Sequence, residues 1–388
     1  MSPAPSFPFE SLRRAPDVEA ENLQAFDAAD RLLLDTAADR LSRRATAAEA
    51  DGGSDVVVIG DGYGALTLGA AAQGLRGLRV HQDPLSGELA LDRNAAALQL
   101  ADTYAHHALG PDLVAGARLV LLRLPRSLDA LEEIAELVAA HAAPDVTIYA
   151  GGRLKHMTTA MNSVLMRHFG TVSAGLARQK SRVLTVSGPL PADRRPATRF
   201  PLAEAHDVGL KAPLQLRARG ATFGGAGLDI GTRFLLSHLH QARSADQAVD
   251  LGCGNGAIAA YLALTRPGMR VLASDQSEAA AASTSLTLQA NGVADRAVIR
   301  RADALSWLPD ASQDLVVLNP PFHIGASVHA GIAHKLFADV GRVLRPGGEL
   351  WAVWNSHLAY KPALNRLVGS TRQAARNPKF TVTVSTRR

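Results

Sequence analysis

AVDLGCGNGAIAAYLAL (248–264) decides the fold: an apolar strand ends in an acid, three glycines follow at alternate positions, and an apolar helix begins. Glycines permit a tight turn and let backbone approach a ligand at the carboxyl end of a strand. In Asp250-Leu-Gly252-Cys-Gly254-Asn-Gly256 an acid precedes the glycines, which departs from the G-x-G-x-x-G of dinucleotide sites and suits a ligand carrying a cationic amino-acid group. Outward from this turn run RVLASD (270–275), a helix to about 290, AVIRRADAL (297–305), DLVVLNPPF (314–322), a helix near 328–344, ELWAVWN (349–355) and FTVTVS (380–385). Strands alternating with helices at this spacing predict right-handed crossovers and a largely parallel, doubly wound α/β sheet. Asp275 closes the second of these strands, where an acid accepts both hydroxyls of a ribose in doubly wound sites.

The same rhythm precedes it, in VVVIG (56–60), LRV (78–80), VLLRLP (120–125), an apolar-periodic stretch at 128–141 and VTIYAGG (146–152). Setting VVIGDGYGAL (57–66) against VDLGCGNGAI (249–258) aligns Gly60, Gly62 and Gly64 with Gly252, Gly254 and Gly256, and Asp83 with Asp275. Val58 then replaces Asp250, and Leu124-Pro125-Arg126 stands where the second half has Asn319-Pro320-Pro321-Phe322. We read a duplication into two tandem Rossmann-like domains, the N-terminal one degenerate. SGPLPADRRPATRFP (187–201), with four prolines and three arginines, cannot hold a helix and is poor in a central strand. The expected division is 1–186, a linker over 187–204, and 205–388.

The 388 residues suffice for two cores, and 47% hydrophobic with 20% charged residues is ordinary globular material. Cys253 is the only cysteine, which excludes an intramolecular disulfide and a cysteine-cluster zinc site. No basic stretch leads into an apolar run near the N-terminus, and no run approaches a membrane span, so a cytoplasmic protein without membrane or metal is expected, as a monomer. Residues 1–150 carry 12 Lys+Arg against 22 Asp+Glu and residues 151–388 carry 29 against 14, a balance of −10 against +15. A basic C-terminal part points to a polyanion such as nucleic acid, although a composition in which 35 of 41 basic residues are arginine fits coding bias equally. Arg178, Lys180 and Arg182 are spaced i, i+2, i+4 and line one face for phosphate contacts if SRVLTVS continues them as a strand.

Asn319-Pro320-Pro321-Phe322-His323 follows the apolar strand DLVVL. The two prolines fix consecutive φ angles and make a stiff shelf. The Asn319 side-chain oxygen and the Pro320 carbonyl can together accept both N–H bonds of a planar amino group. Phe322 can stack on the ring bearing it.

Together these residues resemble the class I S-adenosylmethionine-dependent methyltransferases, in the branch that methylates planar exocyclic or amide nitrogens. With GLDIGTRFLLSHL (227–239), NSHLAY (355–360) and NPKF (377–380), the chain is similar to the ribosomal RNA guanine-N2 methyltransferases, including their inactive N-terminal copy. AADRLLL (28–34) and GDGYGALT (60–67) extend the resemblance over nearly the whole chain and toward the 23S rRNA members rather than the 16S ones. One departure is Thr287, a dozen residues after the ribose acid, where such helices commonly carry Asn; Asn291 lies one turn later.

The resemblance implies that Asp250 and the glycines lie under the methionine part of S-adenosylmethionine, that Asp275 holds the ribose, and that Asp303 accepts from the adenine amino group. It also implies that Asp229 and Thr232 help cover the methionine end, Asp229 being alternatively a helix N-cap. His323, Asn377, Lys379 and Phe380 become candidates for RNA contact, the last three in a terminal hairpin. The expected partner is free or partly assembled large-subunit rRNA, because a base must leave its stack to reach the shelf. A 16S guanine, an adenine N6 and a protein glutamine present the same NH2 group and stay open, as does a non-catalytic RNA-binding or ribosome-assembly factor. Phe322 rather than Tyr, followed by His323, weighs against adenine and glutamine, and intact Asp250, Asp275 and Asn319 weigh against a non-catalytic factor.

Overall fold

The computed structural model describes residues 7–47, 53–320 and 326–388, and the chain divides into two compact units, 1–199 and 200–388. The first runs α1 (Ala28–Ala47), β1 (Val56–Ile59), α2 (Ala65–Ala71), β2 (Leu78–His81), α3 (Leu85–Ala97), β3 (Tyr104–His106), α4 (Pro111–Val114), β4 (Leu119–Arg123), α5 (Leu128–His141), β5 (Thr147–Arg153), α6 (Thr159–Met166), β6 (Phe169–Ala174) and β7 (Ser181–Pro189). The second opens with a hairpin, β8 (Leu202–His206) and β9 (Leu214–Ala218), and continues α7 (Ile230–Leu236), β10 (Gln247–Leu251), α8 (Ala257–Thr265), β11 (Arg270–Asp275), α9 (Glu278–Ala290), β12 (Ala297–Arg301), β13 (Gln313–Leu318), α10 (Ala326–Val343), β14 (Leu344–Asn355), α11 (Lys361–Leu367), β15 (Gly369–Arg376) and β16 (Phe380–Arg387).

The two seven-stranded sheets have the same order, β3-β2-β1-β4-β5-β7-β6 and β12-β11-β10-β13-β14-β16-β15, and in each only the next-to-last strand in that order, β7 or β16, runs antiparallel to the rest. Identical topology in tandem is what duplication predicts. Strand side chains alternate between faces, so continuous apolar strands must be covered on both sides. Val56 and Val58 pack with Leu33, Leu66 and Leu68 from α1 and α2, whereas Val57 and Ile59 pack with Leu131, Val138 and Leu165 from α5 and α6. In the second unit Ala248 faces Leu235, Leu262 and Leu288, and Val249 and Leu251 face Phe337, Val340 and Leu364. In each sheet the strand order reverses beside the first strand, β1 or β10, which opens a crevice at the carboxyl ends.

The linker is shorter than expected. Strand β7 continues to Pro189, its final residue, where a missing ladder donor costs least, and β8 begins at Leu202. Only 190–201 lies outside strands. The hairpin β8–β9 went unread because LAEAH and LQLRA are short and carry little apolar run. Strand β9 is latched by α9 through a polar stripe at i, i+4, i+8: Ser283 Oγ accepts from Arg219 N (2.8 Å), Thr287 Oγ1 from Arg217 N (2.9 Å), and Asn291 Oδ1 from Gln215 N (3.1 Å). The Thr287 departure is thereby explained: its hydroxyl both accepts from and donates to the Arg217 backbone.

Arg178, Lys180 and Arg182 do not line one strand face. Gln179 and Lys180 have φ of 47° and 57°, Arg178 bridges Ser181, and β7 starts only at Ser181. Two consecutive positive φ angles make the segment a tight turn, matched to strand twist, and scatter the three side chains.

Candidate functional site

The site of the second unit gathers at the carboxyl ends of β10, β11 and β13. Gly252, Gly254 and Gly256 all have positive φ, and the space that a Cβ would take at Gly252 and Gly254 is open to 4 Å. Gly256 is instead required by packing, since a Cβ there would sit 2.9 Å from the Thr284 Cα. Asp250 is fully buried; its Oδ2 accepts from Ala259 N in the first turn of α8 (2.9 Å), while Oδ1 has no partner among the described residues. Burial pushes its carboxyl up to about 7, with the nearby Asp275 adding to the rise. Asp275 Oδ2 accepts from Gly254 N (3.1 Å) and Oδ1 from Ser277 N (3.0 Å), so this carboxylate braces the glycine turn from the next strand. Cys253 is buried and its thiol lies well above its usual range because of that burial.

Asn319, the first residue after β13, is held by its amide nitrogen. Nδ2 donates to Asp229 Oδ2 (3.0 Å) and to Thr232 Oγ1 (2.8 Å). A carboxylate can only accept, so these partners fix which end of the amide faces them. Oδ1 is thereby turned the other way; it is buried and has no hydrogen-bond partner among the described residues. Asp229 is the N-cap of α7 and accepts from Thr232 N (2.8 Å), so one helix start positions both partners. Asn255 in the glycine turn ties the preceding loop down by donating to the Gly225 and Gly227 carbonyls, both at 2.9 Å. Asp229 is thus the helix N-cap that its sequence context allowed, and it and Thr232, expected to cover the methionine end, also hold Asn319. The contacts of Asn255 were not foreseen from the sequence.

Asp303 lies beyond β12, and both its oxygens accept from Lys335 Nζ on α10, at 2.7 and 2.6 Å. In the terminal hairpin Asn377 Oδ1 accepts from Lys379 N (2.9 Å) and Phe380 N (2.7 Å), which closes the turn. Phe380 is 4% exposed and belongs to the core that contains Leu235 and Val353, so its expected contact with substrate is withdrawn in favour of packing. Lys379 is exposed, and Pro320 is buried beside Asn319. Pro321, Phe322 and His323 lie outside the described residues. Among the described residues there is no cluster of ligating side chains that could hold a metal, and no helix is long and apolar enough to cross a membrane.

The first unit carries the same scaffold with different groups. Gly60 N donates to the His81 carbonyl as Gly252 N donates to that of Ser274, so the residue after β2 that matches Asp275 is Gln82, not Asp83 as the sequence alignment had it. Gln82 is an amide donor, and it bonds the Gly62 carbonyl (3.0 Å) where Asp275 accepts from the Gly254 amide. The pairing of β1 with β4 and of β10 with β13 places Arg123, one residue before the aligned Leu124, at the position equivalent to Asn319. Arg123 bonds both Asp27 oxygens (2.9 and 3.1 Å) and reaches Asp30 at 3.2 Å. Those acids start α1 as Asp229 and Thr232 start α7; setting FDAADRLLL (26–34) against LDIGTRFLL (228–236) is the signal that would have revealed this. At the Cys253 position Asp61 is buried and accepts from Leu66 N and Thr67 N, both at 2.8 Å.

Residues 213–384 match the family model of the methyltransferase small domain, and residues 5–189 match that of the RLMG N-terminal domain. The chain is 35% identical over 376 residues to ribosomal RNA large subunit methyltransferase G of Streptomyces coelicolor, covering 96% of each. It is 36% identical to the protein of that name from Pseudomonas paraeruginosa, again over 96% of each. Among solved structures it is similar to an N2 methyltransferase of 16S rRNA from T. thermophilus, in complex with AdoMet and guanosine. That likeness has a TM-score of 0.72 and 21% identity and covers 96% of this chain and 97% of that one.

Proposed function

The chain belongs to the ribosomal RNA large subunit methyltransferase G family, and on that premise we propose that it transfers the methyl group of S-adenosylmethionine to the exocyclic N2 amino group of one guanine in 23S rRNA. The second unit carries the reaction. The supporting observation is the Asn319 amide: its nitrogen is held by Asp229 and Thr232, and its buried oxygen lacks a partner among the described residues.

S-adenosylmethionine supplies an electrophilic methyl group on a sulfonium. The residues present suit it: the unpartnered Asp250 Oδ1 offers an acceptor for a cationic amino group, the space over Gly252 and Gly254 is open, and Asp275 stands at the next strand end. Asp303 serves the adenine only by giving up part of its bond to Lys335.

An aryl amino nitrogen is a poor nucleophile because its lone pair is delocalised into the ring. Asn319 Oδ1 and the Pro320 carbonyl accept its two N–H bonds, which favours the geometry in which the nitrogen becomes tetrahedral and positive. With S-adenosylmethionine bound, transfer would form the C–N bond as the S–C bond breaks, leave the neutral thioether, and release the nitrogen's proton to water. Because Asn319 is fixed before substrate arrives, little reorganisation accompanies this charge development. Phe322 stacks on the guanine ring, and His323 and Lys379 meet the RNA. Free or partly assembled large-subunit RNA in the cytoplasm is the substrate, and the first unit positions it.

Mass-spectrometric mapping of methylguanine in rRNA from cells with and without the protein tests the proposal. Loss of one methylguanine in 23S rRNA is expected; loss in 16S rRNA alone, or no loss, overturns it.

A further inference from the structure

The first unit keeps a cavity of about 340 Å³ at the carboxyl ends of β4 and β5. Arg123, Arg126, Arg153, Lys155, His156 and Asp27 line it. By register this is the place that the acceptor pocket occupies in the second unit: Leu122 pairs with Ala150 as Leu318 pairs with Ala352, which puts Arg153 at the position of Asn355. The rim corresponds too, since Leu154 N donates to the Lys180 carbonyl (2.9 Å) as Ser356 N donates to that of Lys379 (2.8 Å).

The lining has changed sign. Arg123 is engaged by Asp27 and Asp30, which leaves Arg126, Arg153 and Lys155 as cations in excess. Among the described residues Arg153 Nε is buried without a hydrogen-bond partner, Lys155 is exposed without one, and Arg126 touches only the His156 ring at 3.4 Å. His156 is held below its usual range by burial and by Arg126 and Lys155, as expected where positive charge converges. Three cations of which two are guanidiniums, around a cavity of this size and with one donor desolvated, match an oxyanion with several acceptor oxygens.

We propose that this cavity binds a phosphodiester group of the substrate RNA, the degenerate copy having exchanged a pocket for a base for a pocket for backbone. The proposal rests on RNA being the substrate. It places phosphate recognition in a defined pocket rather than on a diffuse basic face.

The experiment uses the full chain without S-adenosylmethionine and measures binding of a labelled single-stranded RNA of about 20 nucleotides against salt, where each phosphate contact contributes about 0.7 to the log–log slope. The triple variant Arg126→Gln, Arg153→Gln, Lys155→Gln should lower the slope by about 2 and weaken binding about tenfold or more near 0.1 M salt. The pair Arg126→Lys, Arg153→Lys should retain most of the slope. Should the triple variant not fold, Lys155→Glu, at an exposed unpartnered side chain, carries the test and should weaken binding severalfold. Unchanged affinity and slope in a folded variant overturn the proposal. So does saturable binding of inorganic phosphate that depends on these residues while RNA binding does not, since the site then takes a small free anion. Because binding is read without methyl transfer, a missing methylguanine bears only on the proposed reaction.

Discussion

The two units share strand order, helix positions and glycine turns, yet each polar position that would meet a ligand differs between them. Where the second unit leaves Asp250 Oδ1 and Asn319 Oδ1 buried and without a partner among the described residues, the first has Val58 and an Arg123 bound to Asp27 and Asp30. Where Asp275 accepts from a glycine amide, Gln82 donates to a glycine carbonyl. An unsatisfied buried group destabilises a fold and persists where a ligand completes it. At the places of Asp250 and Asn319 the first unit therefore offers no waiting acceptor, whereas the second has kept two. Latching of a preceding segment survives in both, because it holds structure rather than chemistry: Asn94 on α3 bonds both the N–H and the C=O of Arg13 at 2.9 Å, as Thr287 on α9 bonds those of Arg217.

The contrast breaks hardest at Asn319. Asn319→Ala should lower kcat by about 10²–10³-fold, the usual effect of removing one preorganised transition-state contact, while calorimetric binding of S-adenosylmethionine changes little. Near-normal turnover would show that the unpartnered Oδ1 has no part in the reaction.

Its counterpart should behave in the opposite way. Arg123→Ala strips the cation from Asp27 and from Asp30, which is 4% exposed, and should destabilise the first unit by about 3 kcal/mol in denaturant unfolding. Asp30 has its carboxyl raised to about 7 by burial, so between roughly pH 4 and pH 7 the folded state holds a proton that the unfolded state has released. Stability of the first unit therefore falls as pH rises through that window. In Arg123→Ala the fall should continue to higher pH, because Arg123 is what lowers this carboxyl against burial. An unaltered unfolding midpoint would mean that the Arg123 network is dispensable.

Third in size is a proton linked to the cofactor. With its carboxyl at about 7, Asp250 is half protonated near neutral pH when the site is empty of cation. A ligand with a cationic group favours the ionised form, so affinity for S-adenosylmethionine should rise about tenfold from pH 6 to pH 8 with proton release. Asp250→Asn should flatten that profile. Calorimetry in buffers of different ionisation enthalpy measures the proton count, and a flat wild-type profile would remove Asp250 from the ligand.

The smallest effect belongs to Asp229, a positioning residue. Asp229→Asn keeps a capping oxygen and gives Asn319 a partner that no longer dictates its orientation. Turnover should fall about fivefold, the worth of one hydrogen bond, with KM for RNA nearly unchanged. A change in KM with kcat intact would mean that Asp229 shapes binding of RNA instead.

Periodicity and glycine spacing were enough for the architecture, because burying both faces of a sheet requires continuous apolar strands, and VVVI, VDL and DLVVL are visible as such. The duplication and the line Asp250, Asp275, Asn319 were legible for the same local reason: each stands at the end of an apolar run. Partners far apart in the chain were not. That Asp229 and Thr232 grip an amide 90 and 87 residues away, that Arg123 holds the position equivalent to Asn319 and Gln82 that equivalent to Asp275, and that Phe380 turns into the core, all follow from strand register. Register is set by packing of whole faces, and a one-residue shift exchanges an Asp for a Gln or a Leu for an Arg at the site. The unpartnered Asn319 oxygen is likewise a property of where its neighbours are placed, which spacing along the chain does not carry.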